Sequence, residues 1–386
     1  MLDWIGNQLE DIQKSGLLRK TVPARPAGPG SLLVNGKVLR DFASNDYLGF
    51  SHRHELIEAA KDAAEKWGCG SRASRLMSGT LSLVERLEDE AARFQGTEAS
   101  LCLGNGYIAN TTIIPALVGR KDAIFMDRLC HASIVDGVLL SGVRFFRFSH
   151  NDVDHLEELL LEHGAKFRRT LIIVESLYSM DGDIAPLPGI LKLAEKHGSI
   201  LMVDEAHALG VFGENGEGII SKDTERKPDI IIGTFGKALG SYGAFAACQA
   251  ELKRYLVNMC RGFIFSTALP PPVIGANLKA LEILPRQGAI GKTVLELASR
   301  LRGFIKGRLK RPSPGSSQIV PLILDSIEET LELERFLLEN GIFTRSIRPP
   351  TVPKNSPRIR FSITADHGQE DIDRLEALLE RFFHKG

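Results

Sequence analysis

Cysteine is scarce, with five residues in a chain of 386, at positions 69, 102, 130, 248 and 260. Their number is odd and none form a C-x-x-C pair, so neither a disulfide framework nor a zinc site is indicated. A reducing, cytoplasmic setting is expected. The ten histidines contain no H-E-x-x-H, and no metal site is expected. Neither sign of charge is in excess: 48 basic side chains face 48 acidic ones. That balance argues against a chain built to grip the phosphate backbone of a nucleic acid, although a local basic patch remains compatible with it. No long apolar run exists either. The longest charge-free stretch, Ala99 to Gly119, is interrupted by Asn105, Gly106, Asn110, Thr111, Thr112 and Pro115, whereas a bilayer asks for ~20 predominantly apolar residues in one helix. The first residues, Met1-Leu2-Asp3-Trp4, carry neither the basic nor the apolar stretch of a secretory signal. No repeat or low-complexity block is present.

What remains is ordinary globular composition, 43% apolar and 25% charged. The length suits one large domain and a smaller one. Leu2, Ile5, Leu9 and Ile12 recur at helical spacing, and a Pro/Gly-rich connector and two short strands follow, ending near Phe42. From about residue 55, helices alternate with short, nearly continuous apolar runs: Ser100–Leu103, Ala123–Met126, Val143–Phe148, Leu171–Val174, Ile200–Val203, Asp229–Gly233 and Ala244–Cys248. Runs of that kind read as strands buried on both faces. Seven of them separated by helices such as Leu81–Phe94, Val153–His163 and Leu187–His197 predict an α/β fold with a mainly parallel seven-stranded sheet flanked by helices. Pro270-Pro271-Pro272 opens a long helical stretch reaching Leu309, and a strand, helix, strand, helix order after it predicts a small α/β C-terminal domain. The expected divisions are 1–50, an N-terminal helix and short strands; 51–280, the large domain; and 281–386, the small one.

In an open parallel sheet, ligands bind beyond the carboxyl ends of the strands, and four such places carry chemistry. Asp204-Glu205-Ala206-His207 sets a carboxylate and an imidazole after one run. The same letters occur in nucleic-acid-dependent ATPases, but the G-x-x-x-x-G-K-[ST] loop that such an enzyme needs is missing. Thr234-Phe235-Gly236-Lys237 sets a lysine among small residues; most lysines are solvated and inert, but a partly buried amine of lowered pKa suits Schiff-base chemistry. Gly104-Asn105-Gly106-Tyr107 turns a strand into a helix, which makes an anion cradle. Asp127–Ser133 contributes His131, and Glu175–Asp183 follows a fourth run. Singly these signals are weak. Together, a cradle, a flat ring, an acid and an amine at strand ends describe a site for pyridoxal 5′-phosphate (PLP), whose ring nitrogen needs a carboxylate and whose aldehyde needs an amine.

Ser44-Asn45-Asp46-Tyr47-Leu48-Gly49, Asp127–Ser133, Ser179-Met180-Asp181-Gly182-Asp183, Val203–His207 and Thr234–Lys237 resemble the α-oxoamine synthases, PLP-dependent transferases of fold type I. The resemblance covers nearly the whole chain. It implies an acyltransferase that joins an amino acid to an acyl thioester with loss of carbon dioxide. It makes Lys237 the Schiff-base lysine, Asp204 the partner of the ring nitrogen and His131 the residue stacked on the ring. It places His207 at the phenolic oxygen, with Gly106, Tyr107, Ser179 and Thr234 on the cofactor or its phosphate. Arg348 would bind the amino-acid carboxylate, and Thr351, Arg19 and His131 would contact substrate. The loop Ile347–Pro353 and the segment His150–Val153 resemble the branch that uses L-alanine and a pimeloyl thioester, carried by coenzyme A or an acyl carrier protein. A glycine-using member such as a glycine C-acetyltransferase is the alternative. A homodimer is implied, with no nucleic-acid or membrane partner. The chain departs at Gly70–Leu76 from several members of the family, whose run there is smaller and richer in glycine; Arg72 and Arg75 are expected to bear on the acyl or carrier entrance.

Overall fold

A computed structural model of the chain describes residues 2–220, 226–287 and 289–384. Contacts divide it into two compact units, Met1–Asn45 with Met180–Asp183 and Thr293–Gly386, and Asp46–Ser179 with Ile184–Lys292. The first unit opens with helix α1 (Asp3–Lys14), then strands β1 (Arg25–Pro26), β2 (Ser31–Val34) and β3 (Lys37–Asp41) in an antiparallel meander. Asn35 and Gly36 join β2 to β3 with φ of 48° and 77°, the two left-handed residues that a two-residue hairpin turn requires.

The second unit holds α2 (His54–Trp67), α3 (Ser82–Gln95), β4 (Ala99–Leu103), α4 (Gly106–Leu117), β5 (Ala123–Asp127), α5 (Ala132–Ser141), β6 (Arg144–Phe148) and α6 (Val153–His163). After these come β7 (Thr170–Glu175), α7 (Leu187–Lys196), β8 (Ile200–Asp204), β9 (Ile230–Thr234), β10 (Ala244–Cys248), α8 (Ala250–Met259), α9 (Arg261–Ile264) and α10 (Pro271–Ile283). Its seven strands lie in the order β4-β10-β9-β8-β7-β5-β6. Only β10 runs against its neighbours; the other pairs are parallel. Every residue of β5, β7, β9 and β10 is buried, as the continuous apolar runs require.

The expected single helical stretch from Pro270 to Leu309 is instead two helices. It breaks at a 3₁₀ turn, Leu284–Gln287, where Pro285 has no backbone N–H to give to a helix. Helix α11 (Ile290–Gly307) follows, and from Thr293 the chain belongs to the first unit again. There β11 (Ile319–Ile323), α12 (Ile327–Glu339), β12 (Ile342–Phe343), β13 (Ser346–Ile347), β14 (Arg358–Ser362) and α13 (Gln369–Phe383) complete the fold. Strands β11, β14 and β13 form an antiparallel sheet, while β12 pairs in parallel with β3 and so ties the C-terminal part to the N-terminal meander. Met180–Asp183 is held in this unit by Arg358, whose Nη1 donates to Asp181 Oδ1 at 2.6 Å and to the Met180 carbonyl at 3.1 Å.

Candidate active site

Four of the parallel strands end on a polar residue: β5 on Asp127, β7 on Glu175, β8 on Asp204 and β9 on Thr234. Each is less than a tenth exposed. Glu175 and Asp204 are register partners on adjacent strands, so their side chains emerge on one face of the sheet. Asp204 Oδ1 accepts from the Ala206 N–H at 2.9 Å and Oδ2 from Asn110 Nδ2 at 2.8 Å. Asn110 reaches it from α4, and its second N–H goes to Ser133 Oγ on α5 at 2.9 Å. The two helices approach closely at Gly137, where a Cβ would stand 2.5 Å from the Asn110 carbonyl oxygen. Ser133 Oγ lies 2.8 Å from His131 Nδ1, and the Glu175 carboxyl accepts the His131 backbone N–H. Asp204, Asn110, Ser133, His131 and Glu175 thus close into a ring of contacts.

The expected cofactor residues gather around this ring. His207, buried just past β8, pairs through Nδ1 with the Tyr47 hydroxyl at 2.8 Å. Thr234 Oγ1 donates to the Gly243 carbonyl at 3.1 Å and accepts from the Gly236 N–H at 3.2 Å, pinning the turn that carries half-buried Lys237. Ser179 is buried beyond β7. Gly106 and Tyr107 form the first turn of α4, and the Tyr107 hydroxyl donates to Asp136 on α5.

Electrostatics tie these groups together. Burial pushes the Glu175 carboxyl up to about 8, and the negative charge of Asp204 adds to that, so Glu175 is largely protonated near neutrality. Burial likewise lifts Glu205 to about 7. His131 keeps an exposed edge yet is crowded enough that desolvation lowers its pKa; Asp204 and Asp136 oppose that shift and Lys237 adds to it. Asp136 holds the Tyr107 hydroxyl above its ordinary pKa by accepting its hydrogen bond.

The arrangement fits PLP. Asn105 caps α4 by accepting the Ile108 N–H at 2.9 Å, which leaves the first-turn N–H groups of Gly106 and Tyr107 outward-facing. A Cβ built on Gly104 or Gly106 meets nothing within 4 Å, so the cradle is open to a phosphate. A buried carboxylate held by two donors is the acceptor that a protonated ring nitrogen needs.

Arg19, Arg348 and Thr351 belong to the other unit, where they come together. Arg19 Nη2 donates to the Pro349 carbonyl at 3.4 Å, and Arg348 donates through Nη1 to Gly16 and through Nη2 to Leu18 at 3.5 Å. The Thr351 N–H donates to the Arg348 carbonyl at 3.1 Å. Burial lowers the Arg348 pKa; Glu334 opposes this, and the like charges of Arg19 and Arg345 add to it.

Known proteins place this architecture. The profile of the class I and II aminotransferases matches residues 37–379. The 8-amino-7-oxononanoate synthase of Geobacter sulfurreducens is 42% identical over 381 residues, 98% of this chain and 97% of that one. The chain belongs to this aminotransferase family, in its 8-amino-7-oxononanoate synthase branch. A serine palmitoyltransferase from S. paucimobilis, solved with a bound PLP–myriocin aldimine, superposes with a TM-score of 0.92 at 29% identity, covering 99% of this chain and 97% of that one. An 8-amino-7-oxononanoate synthase from Francisella tularensis gives 0.76 at 28% identity, covering 89% and 96%. The fold is accordingly fold type I, a large unit built on a mainly parallel seven-stranded sheet with a smaller α/β unit.

In the run at 70–76, Arg75 is buried, with Nη1 2.7 Å from Glu88 Oε1 and its guanidinium over the Phe263 ring. Arg72 is exposed and takes φ of 65°, a left-handed conformation that glycine adopts freely. Asn110, Ser133, Glu175 and Tyr47 have no role assigned from the sequence, although Glu175 opens the fourth strand-end segment and Tyr47 and Ser133 lie in the motifs that carry the resemblance.

Proposed function

We propose that this chain catalyses the PLP-dependent, decarboxylative condensation of L-alanine with a pimeloyl thioester. The products are 8-amino-7-oxononanoate, carbon dioxide and the free thiol carrier, an early step of biotin biosynthesis. The supporting observation is the strand-end constellation of Asp204, His131 and Lys237 beside an open helix-start cradle, in a chain 42% identical to a named 8-amino-7-oxononanoate synthase.

When bound, PLP supplies an electrophilic aldehyde and a ring able to stabilise a carbanion at the α-carbon of an amino acid. Lys237 would hold the aldehyde, and its amine would take the α-proton of L-alanine. Asp204 would keep a proton on the ring nitrogen, His131 would lie against the ring, and His207, steadied by Tyr47, would meet the phenolic oxygen. Gly106, Tyr107, Ser179 and Thr234 would hold the remaining cofactor atoms. Arg348 would receive the amino-acid carboxylate as a planar fork, with Arg19 and Thr351 on the substrate side. We take the acting form to be a homodimer, supported by the exposed apolar side chains Leu76, Met77, Tyr242 and Phe265 on the second unit. A cytoplasmic location is supported by five cysteines that are all free thiols.

The test is turnover by purified protein with L-alanine or glycine and a panel of acyl thioesters. L-Alanine with pimeloyl thioester is expected to give the highest kcat/KM, with thiol and carbon dioxide released in step. Lys237→Ala should lose the visible colour of the PLP-loaded protein and at least ~10²-fold in turnover. Glycine with acetyl thioester as the best pair would move the chain to another branch, and near-normal activity of Lys237→Ala would remove the lysine from its role.

A further inference from the structure

Asn110 and Ser133 link Asp204 to His131, yet neither has a part in the chemistry described so far. The hydrogens along that link can be assigned from geometry. Asp204 only accepts, so the Asn110 amide must turn its NH2 towards Oδ2, 2.8 Å away; the opposite orientation would set amide oxygen against carboxylate oxygen. The other N–H of the same NH2 then points at Ser133 Oγ, 2.9 Å away, and that oxygen accepts. The hydroxyl hydrogen is thereby free for His131 Nδ1 at 2.8 Å. A hydroxyl can rotate, but a backbone N–H cannot, and the Ser133 N–H also points at Nδ1, at 3.2 Å, because His131 is the N-cap of α5. Nδ1 therefore receives two hydrogens and has no room for one of its own.

We propose that Asn110 and Ser133 are positioning residues that hold His131 as a neutral imidazole with its hydrogen on Nε2, making it a fixed hydrogen-bond donor and not a base. The groups that bear on its charge are Asp204 on β8, Asp136 on α5, Lys237 after β9, and Glu175 on β7, which holds its backbone. Desolvation of the ring, with Lys237 beside it, outweighs the two aspartates and favours the same neutral form. The ionised state of Asp204 orients the amide, so the charge that would serve the cofactor ring also sets the tautomer of the imidazole beside it. The oxygen that meets Nε2–H, the carbonyl of the incoming thioester as negative charge develops on it, rests on the function proposed above; the tautomer does not.

The decisive measurement is ¹⁵N NMR of histidine-labelled protein, with and without PLP, the His131 signals being identified by their loss in His131→Gln. The expected result is an Nε2–H, unprotonated-Nδ1 imidazole between about pH 6 and 8, where an unperturbed ring would titrate. In Ser133→Ala the backbone N–H still points at Nδ1, so the Nε2–H tautomer should persist, but with the hydroxyl donor gone the neutral form is held less well and the titration should move to higher pH. Its kcat should fall about tenfold with KM for L-alanine unchanged, since one oxyanion donor is loosened but not removed, and Ser133→Thr should restore both properties. An Nδ1–H tautomer in the unmodified protein overturns the proposal, and that reading is available even if Ser133→Ala does not fold. An unchanged titration in a folded Ser133→Ala overturns it as well. If the tautomer is as expected but no thioester is consumed, the functional reading fails and the positioning role stands.

Discussion

Replacing Glu88 by Gln should destabilise the protein without touching its substrate constants. Glu88 is 1% exposed and Arg75 8%. Glu88 Oε1 takes Arg75 Nη1 at 2.7 Å and the Cys102 N–H at 2.9 Å, and Oε2 takes Lys253 Nζ at 2.9 Å. The amide keeps the shape but removes the charge, and it must turn an NH2 towards one of two cations. Lys253 can swing into solvent, since it is already about a quarter exposed; Arg75 cannot. Breaking a buried pair from one side costs about 3–5 kcal/mol. With an unfolding entropy near 2 cal/mol/K per residue, the melting point should fall by roughly 4–10 °C, the smaller value applying if all 386 residues unfold together. Removing both charges, Arg75→Met with Glu88→Met, should recover much of that loss, because the desolvation penalty disappears with the attraction. The assay is calorimetry at fixed protein concentration and saturating PLP, beside steady-state kinetics with the thioester. A Glu88→Gln melting point within about 1 °C of the parent refutes the reasoning. A raised KM for the thioester in Arg75→Met at an unchanged melting point would return Arg75 to the acyl entrance.

Arg348→Ala should raise KM for L-alanine about 10- to 100-fold, the worth of a charge-assisted pair, while leaving the PLP colour intact; bleaching of the colour would show a different role. Asp122 lies at the opposite ends of the strands, fully buried under Arg168 and Arg169, whose hydrogen bonds hold its carboxyl well below the usual range. Its stabilisation is present above about pH 4 and is lost as pH falls, so Asp122→Asn should cost about 1–3 kcal/mol at neutral pH and flatten the acid limb of a melting-point profile. An unflattened limb would exclude it as the source. Glu175 behaves oppositely. Its folded pKa of about 8 lies above the ordinary 4.5, so the folded state holds a proton that the unfolded state releases, and cofactor-free protein should lose stability as pH rises from about 5 to 8. Glu175→Gln should make that part of the profile shallower, and an unaltered slope would assign it to other groups such as Glu205.

The sheet was legible because its strands are buried on both faces: β10 fell on the apolar run at 244–248, and the other six lie within a residue or two of theirs. The site followed from the sheet, since reactive letters directly after an apolar run must stand at the carboxyl edge. What stayed hidden has a physical reason in each case. Asn110 sits one turn inside a helix whose sequence is otherwise apolar or small, and its partner Ser133 is 23 residues away; only the close approach permitted by Gly137 brings them together. Strands β12 and β13 are two residues long, too short for any alternation to show. Arg75 reads as a surface residue by type, and only its partner thirteen residues on, across a turn and one helix, makes it a buried one.

The zero net charge deserves a different weight from the one a composition gives it. It reflects cancellation over the chain, and the two units use charge in different ways. In the second, Asp204 and Glu175 are buried at neighbouring strand ends with Glu205 just beyond, and burial with the charge of Asp204 raises the pKa values of Glu175 and Glu205 towards neutrality. In the first, Arg19, Arg345 and Arg348 gather with Glu334, whose Oε1 lies 3.0 Å from Arg345 Nη1. Three guanidiniums against one carboxylate leave a local excess of positive charge; burial is the main cause of the lowered Arg348 pKa, with Arg19 and Arg345 adding to it against Glu334. A carboxylate arriving there would offset that burial and form its own charge-assisted hydrogen bonds. Both substrates proposed for this chain carry one, at the α-carbon of L-alanine and at the far end of the pimeloyl chain. A chain-wide balance of charge bears on a polyanion partner, but it says nothing against recognition of a single carboxylate, a task that the local guanidiniums of Arg19, Arg345 and Arg348 suit.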